Sequence, residues 1–270
     1  MADPFEHVDG ASLQMIEIIA TALETRAEDP SMLPVIDAYL DLLSVPDDGQ
    51  IVDIGSGTGG ITRRIADRYA AASVLGLEPS DALTRKANDL AGNRPNLSFA
   101  VGDGAALDLE EGCADVAILH TVLSHVRDPK PLIAEAVRIL RPGGTLVICD
   151  ADFSKAMMGI VPGDPLGSCA DAFVSGAVTD PWLAGKLRQL INETGLSIEY
   201  FSVLNRVVTS GMGAMTWVRM SAARFVSEAF IGQPLADALE AGYIRRAEAG
   251  LLYSFLPFVT LMATKPVSKG

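Results

Sequence analysis

Between residues 50 and 150 the chain alternates short, continuously apolar runs with stretches whose apolar positions recur at helical spacing. The runs at 51–54, 73–77, 97–101, 115–120 and 145–149 predict strands, and the stretches at 59–71, 81–91 and 129–140 predict the helices between them. Strands that are apolar on both faces and alternate with helices predict a parallel sheet covered on both sides, an α/β architecture. The punctuation agrees. Ser80 can cap the helix after it, and Arg141-Pro142-Gly143-Gly144 is a helix stop.

The flanks carry a different pattern. Residues 10–43 read as helical: Leu13, Ile16, Ile19, Ala20 and Leu23 share one face, and Asp29-Pro30 separates a second helix at 32–43. Residues 151–179 are rich in Gly, Asp and Pro and read as a long irregular segment over the strand ends, a lid. A helix at 181–193, a strand at 196–208, two helical stretches within 212–249 split by Gly232-Gln233-Pro234, and a last strand at 253–264 complete the pattern. The expected organisation is an N-terminal helical cap (1–44) on a core (45–270) that carries the lid segment 151–179 and a helical insert at 209–250.

Composition narrows the partners. A net charge of −13 argues against nucleic acid, whose phosphates call for clustered Lys and Arg. No apolar run reaches the ~18 residues of a membrane span. The first seven residues lack the basic and apolar regions of a secretion signal. The three cysteines, Cys113, Cys149 and Cys169, have no metal-ligand spacing and read as free thiols. The expectation is a cytoplasmic protein with no metal site.

Candidate chemistry centres on residues 52–60, Val-Asp-Ile-Gly-Ser-Gly-Thr-Gly-Gly. A strand runs straight into a glycine turn and then a helix, whose free N–H groups and dipole suit a nucleotide or a nucleoside with an anionic tail. Gly55, Gly57 and Gly60 also satisfy the dinucleotide fingerprint, and Glu78, at the end of the second strand, is placed to bond ribose hydroxyls in either kind of cofactor. These residues indicate a nucleoside site without fixing its chemistry. An NAD(P)-dependent oxidoreductase remains an alternative, although neither Tyr200 nor Tyr243 is followed by Lys four positions on.

Three features separate the readings: Asp53 inside the first strand, the acidic turn Gly102-Asp103-Gly104-Ala105 after the third, and Leu140-Arg141-Pro142-Gly143-Gly144 before the fifth. With VDIGSGTGG, GLEPS, VGDGAAL, DVAILHTVLSHVRDP and ILRPGGTLVICD in this order, residues 45–150 resemble the class I S-adenosylmethionine-dependent methyltransferases, most closely the ubiquinone/menaquinone-biosynthesis type. The resemblance implies a Rossmann-like, seven-stranded, mostly parallel sheet of order 3-2-1-4-5-7-6. It implies S-adenosyl-L-methionine as cofactor and S-adenosyl-L-homocysteine as its product. Gly55, Ser56 and Gly57 would pack against the methionine part, with Asp53 supporting the turn. Glu78 would bind the ribose, Pro79 or Ser80 would flank the adenine, and Asp103, Gly104 and Ala105 would meet its edge. His120 and Thr121 would line the site near the sulfonium.

The implied reaction is methyl transfer to O, N or C of a small apolar or aromatic metabolite, with a non-catalytic cofactor-binding protein as a further alternative. His125 is the first candidate for a base, followed by Asp150 and Asp152. Arg26 and Arg206 could pair with an anionic substrate, though internal pairing is the commoner fate of such residues. Helical leaders and inserts of this kind also allow a homodimer.

Overall fold

The computed structural model describes residues 8–10 and 12–267; the reading of residues 1–7, and with it the start of the expected cap, lies outside them. Helices α1 (Leu13–Glu28) and α2 (Leu33–Leu40) lead into β1 (Gln50–Ile54), α3 (Gly60–Arg68), β2 (Ser73–Glu78), α4 (Asp81–Leu90) and β3 (Leu97–Val101). Then come β4 (Ala114–His120), α5 (Lys130–Ile139), β5 (Leu140–Ala151) and the two-residue β6 (Met157–Met158). The chain continues through α6 (Pro165–Ala177), α7 (Leu183–Asn192), β7 (Ser197–Val208), α8 (Met215–Ser227), α9 (Gln233–Glu248) and β8 (Ser254–Thr264).

β1 to β5 are parallel in the order 3-2-1-4-5, and β8 adds antiparallel to β5 from Thr145↔Thr264 to Ala151↔Phe258. β7 runs antiparallel along the other edge of β8. The arrangement is the order expected from the sequence, with β6 added where Met157 and Met158 pair with the start of β8. Because strand side chains alternate, successive residues enter opposite cores. Val116, Ile118, Val147 and Cys149 join the core formed with α2, α3, α6, α8 and α9. Ala117, Leu119, Leu146 and Ile148 join the one under α5 and α7.

The helix stop at 141–144 acts as expected: α5 ends at Ile139, pairing shifts register between Ala114↔Leu140 and Val116↔Thr145, and Gly143 takes φ +83°. Residues 151–179 depart from the irregular segment read from the sequence. Asp164 accepts the Leu166 N–H at 3.1 Å as an N-cap, Pro165 opens α6, and Leu166, Cys169, Ala170, Phe173 and Ala177 form a buried stripe. Gly167, Ser168 and Gly176 dilute that stripe in the sequence. Among the described residues no helix is long and apolar enough to cross a membrane.

Candidate functional site

The chain leaves β1 for β2 and β3 on one side and returns for β4 and β5 on the other. The carboxyl ends of β1 and β4 therefore flank a topological switch point, where open α/β sheets hold their ligands. A cavity of about 480 Å³ lies there. Its wall contains Asp53, Gly55, Ser56 and Gly57 from β1 and its turn, Glu78 and Pro79 at the end of β2, Asp103 and Gly104 after β3, and His120, Thr121 and His125 at and beyond the end of β4. Helix α1 closes it with Leu23 and Arg26, and Val8 closes it from the N-terminal side.

The glycine turn is shaped by its own hydrogen bonds. The Gly55 and Ser56 N–H groups both donate to the Leu77 carbonyl, at 2.7 and 3.0 Å. Gly57 has φ +56°, and a Cβ there would stand 2.9 Å from Leu23 Cδ1, so the turn and α1 meet where a side chain would intrude. Gly60 lies against α1 too: its Cβ would meet that of Ala27 at 2.5 Å.

Each acidic residue has a local task. Asp53 is buried and accepts the Thr62 hydroxyl proton at 2.6 Å, which ties the strand to the first turn of α3. Burial pushes its carboxyl up to about 6, against the opposing bond from Thr62. Glu78 accepts the Gly57 N–H through Oε2 at 2.9 Å and the Ser80 N–H through Oε1 at 3.0 Å. Burial raises its pKa above the ordinary glutamate value. Asp103 is exposed at the cavity rim and accepts the Ala105 N–H at 2.9 Å. That bond uses the backbone donor expected to meet an adenine, and Ala105 does not line the cavity.

His120 is buried, with Nδ1 3.2 Å from the Tyr39 hydroxyl and Nε2 without a partner. Burial, with the Arg26 cation adding to it, pushes its pKa down to about 3, so the ring is neutral near pH 7. Thr121 holds φ +52° and accepts a hydrogen bond from Arg26 Nη2 at 2.8 Å. An unsatisfied imidazole nitrogen beside a glycine cradle and a buried carboxylate fits a polar nucleoside ligand.

The three candidate bases separate. His125 ends a short 3-10 turn (Leu123–His125) and lines the cavity, with its ring edge-on to Phe153 at 5.9 Å. Asp150 is fully buried and does not line the cavity. It accepts the Ser124 hydroxyl at 2.7 Å, the Ser124 N–H at 3.1 Å and the Ala151 N–H at 2.8 Å, and so braces the turn that presents His125. Asp152 is outside the cavity and bonds the Ser154 hydroxyl. Among the described residues no cluster of three or more His, Cys, Asp or Glu could hold a metal ion.

Beyond Leu23, Arg26 and His125 lies a smaller pocket of about 60 Å³, walled by Phe153, Phe173, Trp217, Phe258 and Arg206. Phe173 and Trp217 stack at 5.6 Å. Among the apolar residues of the 151–179 segment and the 209–250 insert, Met158 and Met215 are buried, whereas Met157, Met212 and Phe230 are exposed. Sequence reasoning did not single out Leu23, Val122 and Leu132 as cavity walls; only the apolar stripe containing Leu23 signalled one of them.

Residues 52–148 match a family model described as a methyltransferase domain. The chain is 39% identical to the trans-aconitate 2-methyltransferase of Deinococcus radiodurans over 37% of its own length and 36% of that protein's. It is 32% identical to a ubiquinone/menaquinone biosynthesis C-methyltransferase of Roseobacter denitrificans over 42% of its length and 47% of that protein's. It thus spans under half of either relative. The fold is similar to that of the [4+2]-cyclase SpnF, with TM-score 0.61 and 20% identity over 99% of this chain and 98% of that one. It is also similar to phosphoethanolamine N-methyltransferase 2 of Haemonchus contortus in complex with S-adenosyl-L-methionine, with TM-score 0.62 and 18% identity over 98% of this chain and 60% of that one.

Proposed function

We propose that this chain, whose residues 52–148 match a methyltransferase-domain model, uses S-adenosylmethionine to transfer a methyl group to a small molecule with an apolar or aromatic body. The observation that carries the reading is the convergence of Gly57, Glu78, Asp103 and His120 on one cavity at the switch point of the sheet. In this reading the turn at 55–57 cradles the methionine part of the cofactor, Glu78 holds its ribose and Asp103 its adenine. Ala105 has no such role, because its N–H is already bonded to Asp103.

The cofactor supplies an electrophilic methyl group on a sulfonium, so the protein's work is alignment and exclusion of water. Orienting two reactants contributes roughly 7–11 kcal/mol. Helix α1 covers one side through Leu23, Phe153 and Trp217 wall the adjoining pocket, and neutral His120 adds no positive charge beside a cation. His125 lies at the junction of the two cavities and is placed to take a proton from the acceptor, a contribution of roughly 10²–10⁴-fold where one must leave. Asp150 acts through His125 as a positioning residue.

Calorimetry tests the reading. S-adenosylhomocysteine should bind one to one while NADH gives no heat, and a methyl-group mass increment on an acceptor should follow with S-adenosylmethionine. Binding of NADH in place of the thioether would contradict it.

A further inference from the structure

Arg26 stands in the last turn of α1, at the wall shared by the main cavity and the aromatic pocket. A guanidinium has five N–H donors in a rigid fork. Among the described residues the Arg26 side chain makes one hydrogen bond, to Thr121, and no ion pair, and its Nε is buried without a partner. Burial holds its pKa down at about 10, and repulsion from Arg206 adds to the effect. The nearby Asp150 carboxylate favours the cation at a distance, but its oxygens are taken by Ser124 and Ala151.

Arg206 lines the same aromatic pocket but not the main cavity. It is buried beside Asp29 at 3.5 Å and donates to the Ser31 hydroxyl and the Gly213 carbonyl, both at 3.0 Å. Arg206 is therefore compensated from within, and Arg26 is not. A buried cation with open donors is costly until an anion meets it. The pocket that both arginines enter, about 60 Å³, is far smaller than the ~150 Å³ cavity that admits a benzene ring. It suits an anionic head group rather than a whole ring. Its aromatic walls exclude water and strengthen a guanidinium–carboxylate pair.

We propose that the methyl acceptor is a carboxylic acid whose carboxylate enters the aromatic pocket between Arg26 and Arg206, its carbon skeleton reaching back past His125 into the main cavity. The inference rests on the methyltransferase reading and narrows its substrate class. Arg206 decides between the two carboxylates that Arg26 could receive, because it faces the aromatic pocket alone. The acceptor's carboxylate lies between two cations there, whereas the cofactor's would meet one.

Trp217 reports on the pocket, since the other tryptophan, Trp182, is exposed at the surface. Protein saturated with S-adenosylhomocysteine is titrated with acetate, benzoate and trans-cinnamate, and with the corresponding neutral amides, while Trp217 emission is followed. At least one acid should bind roughly tenfold tighter than its amide, and Arg26→Gln should erase that preference. Arg26→Lys, which keeps the charge but loses the fork, should retain part of it. No preference for any acid in the parent overturns the proposal and needs no variant to fold. Loss of thioether affinity in Arg26→Gln with acid preference intact also overturns it, assigning Arg26 to the cofactor. Failure of the thioether to bind the parent protein contradicts instead the function on which this inference rests.

Discussion

Glu78 Oε2 accepts the Gly57 N–H at 2.9 Å, so the carboxylate at the end of β2 fixes the glycine turn at the end of β1. Its other oxygen is held by the Ser80 N–H at 3.0 Å. Both oxygens are thus held by backbone donors, and Glu78 lines the cavity. Glu78→Gln turns one acceptor into a donor pointed at an N–H. It should cost about 1.5–3 kcal/mol of affinity for S-adenosylhomocysteine, the range for hydrogen bonds to charged groups. Calorimetry checks this, and an unchanged affinity would remove Glu78 from the site.

Gly57 and Gly185 make a matched pair. Gly57 holds φ +56°, whereas Gly185 lies inside α7 with nothing within 4 Å of an added Cβ. Gly57→Ala should destabilise the fold by about 1–2 kcal/mol, the cost of a left-handed conformation in a residue with a Cβ. Gly185→Ala should stabilise it by about 0.4–1 kcal/mol. Urea denaturation of both variants gives the comparison; equal effects would mean that the turn is not strained.

Acid stability should carry two opposing slopes. His120 titrates near 6.5 when unfolded and about 3 in the fold, because of burial and the Arg26 cation. The unfolded chain therefore binds more protons between those values, and the contribution of His120 is full above 6.5 and lost as pH falls toward 3. Asp53 moves the other way, from 3.8 to about 6 through burial, so its contribution is full below 3.8 and lost as pH rises through about 6. Thermal melts from pH 4 to 7 should show His120→Asn losing less stability toward acid than the parent, and Asp53→Asn losing more. Curves parallel to the parent's would contradict both assignments.

His125→Gln should lower turnover at least about tenfold and leave S-adenosylhomocysteine affinity near the parent's, if the acceptor loses a proton to this ring. Asp150→Asn should lower turnover by less and also reduce stability, because it loosens the Ser124 turn without removing the imidazole. Single-turnover kinetics alongside denaturation separates the two, and full activity in His125→Gln would retire it as the base.

The sheet was legible because its inner strands are continuous apolar runs and each strand end carries its own chemistry: glycines after β1, Glu78 at the end of β2, Asp103 after β3. Strand ends placed Gly55, Glu78, Asp103 and His120 on the cavity, but not Leu23 or Arg26 of α1. Helix α6 was not legible, since Gly167 and Gly176 interrupt its stripe and its cap, Asp164, looks like another loop acid. Nor was the division between His125 and Asp150. Both follow strand ends, and only the burial of Asp150 and its bonds to Ser124 show that one faces the cavity while the other holds it there. The state of Arg26 depends on residues as far off in sequence as Thr121 and Arg206, which no local pattern encodes.

A crystal structure of the protein with S-adenosylhomocysteine bound tests the central claim most directly. The account predicts the ribose hydroxyls on Glu78, the adenine beside Asp103 and the sulfur at the end of β4 near His120. A thioether seated elsewhere, with the cavity between β1 and β4 left to solvent, would contradict it.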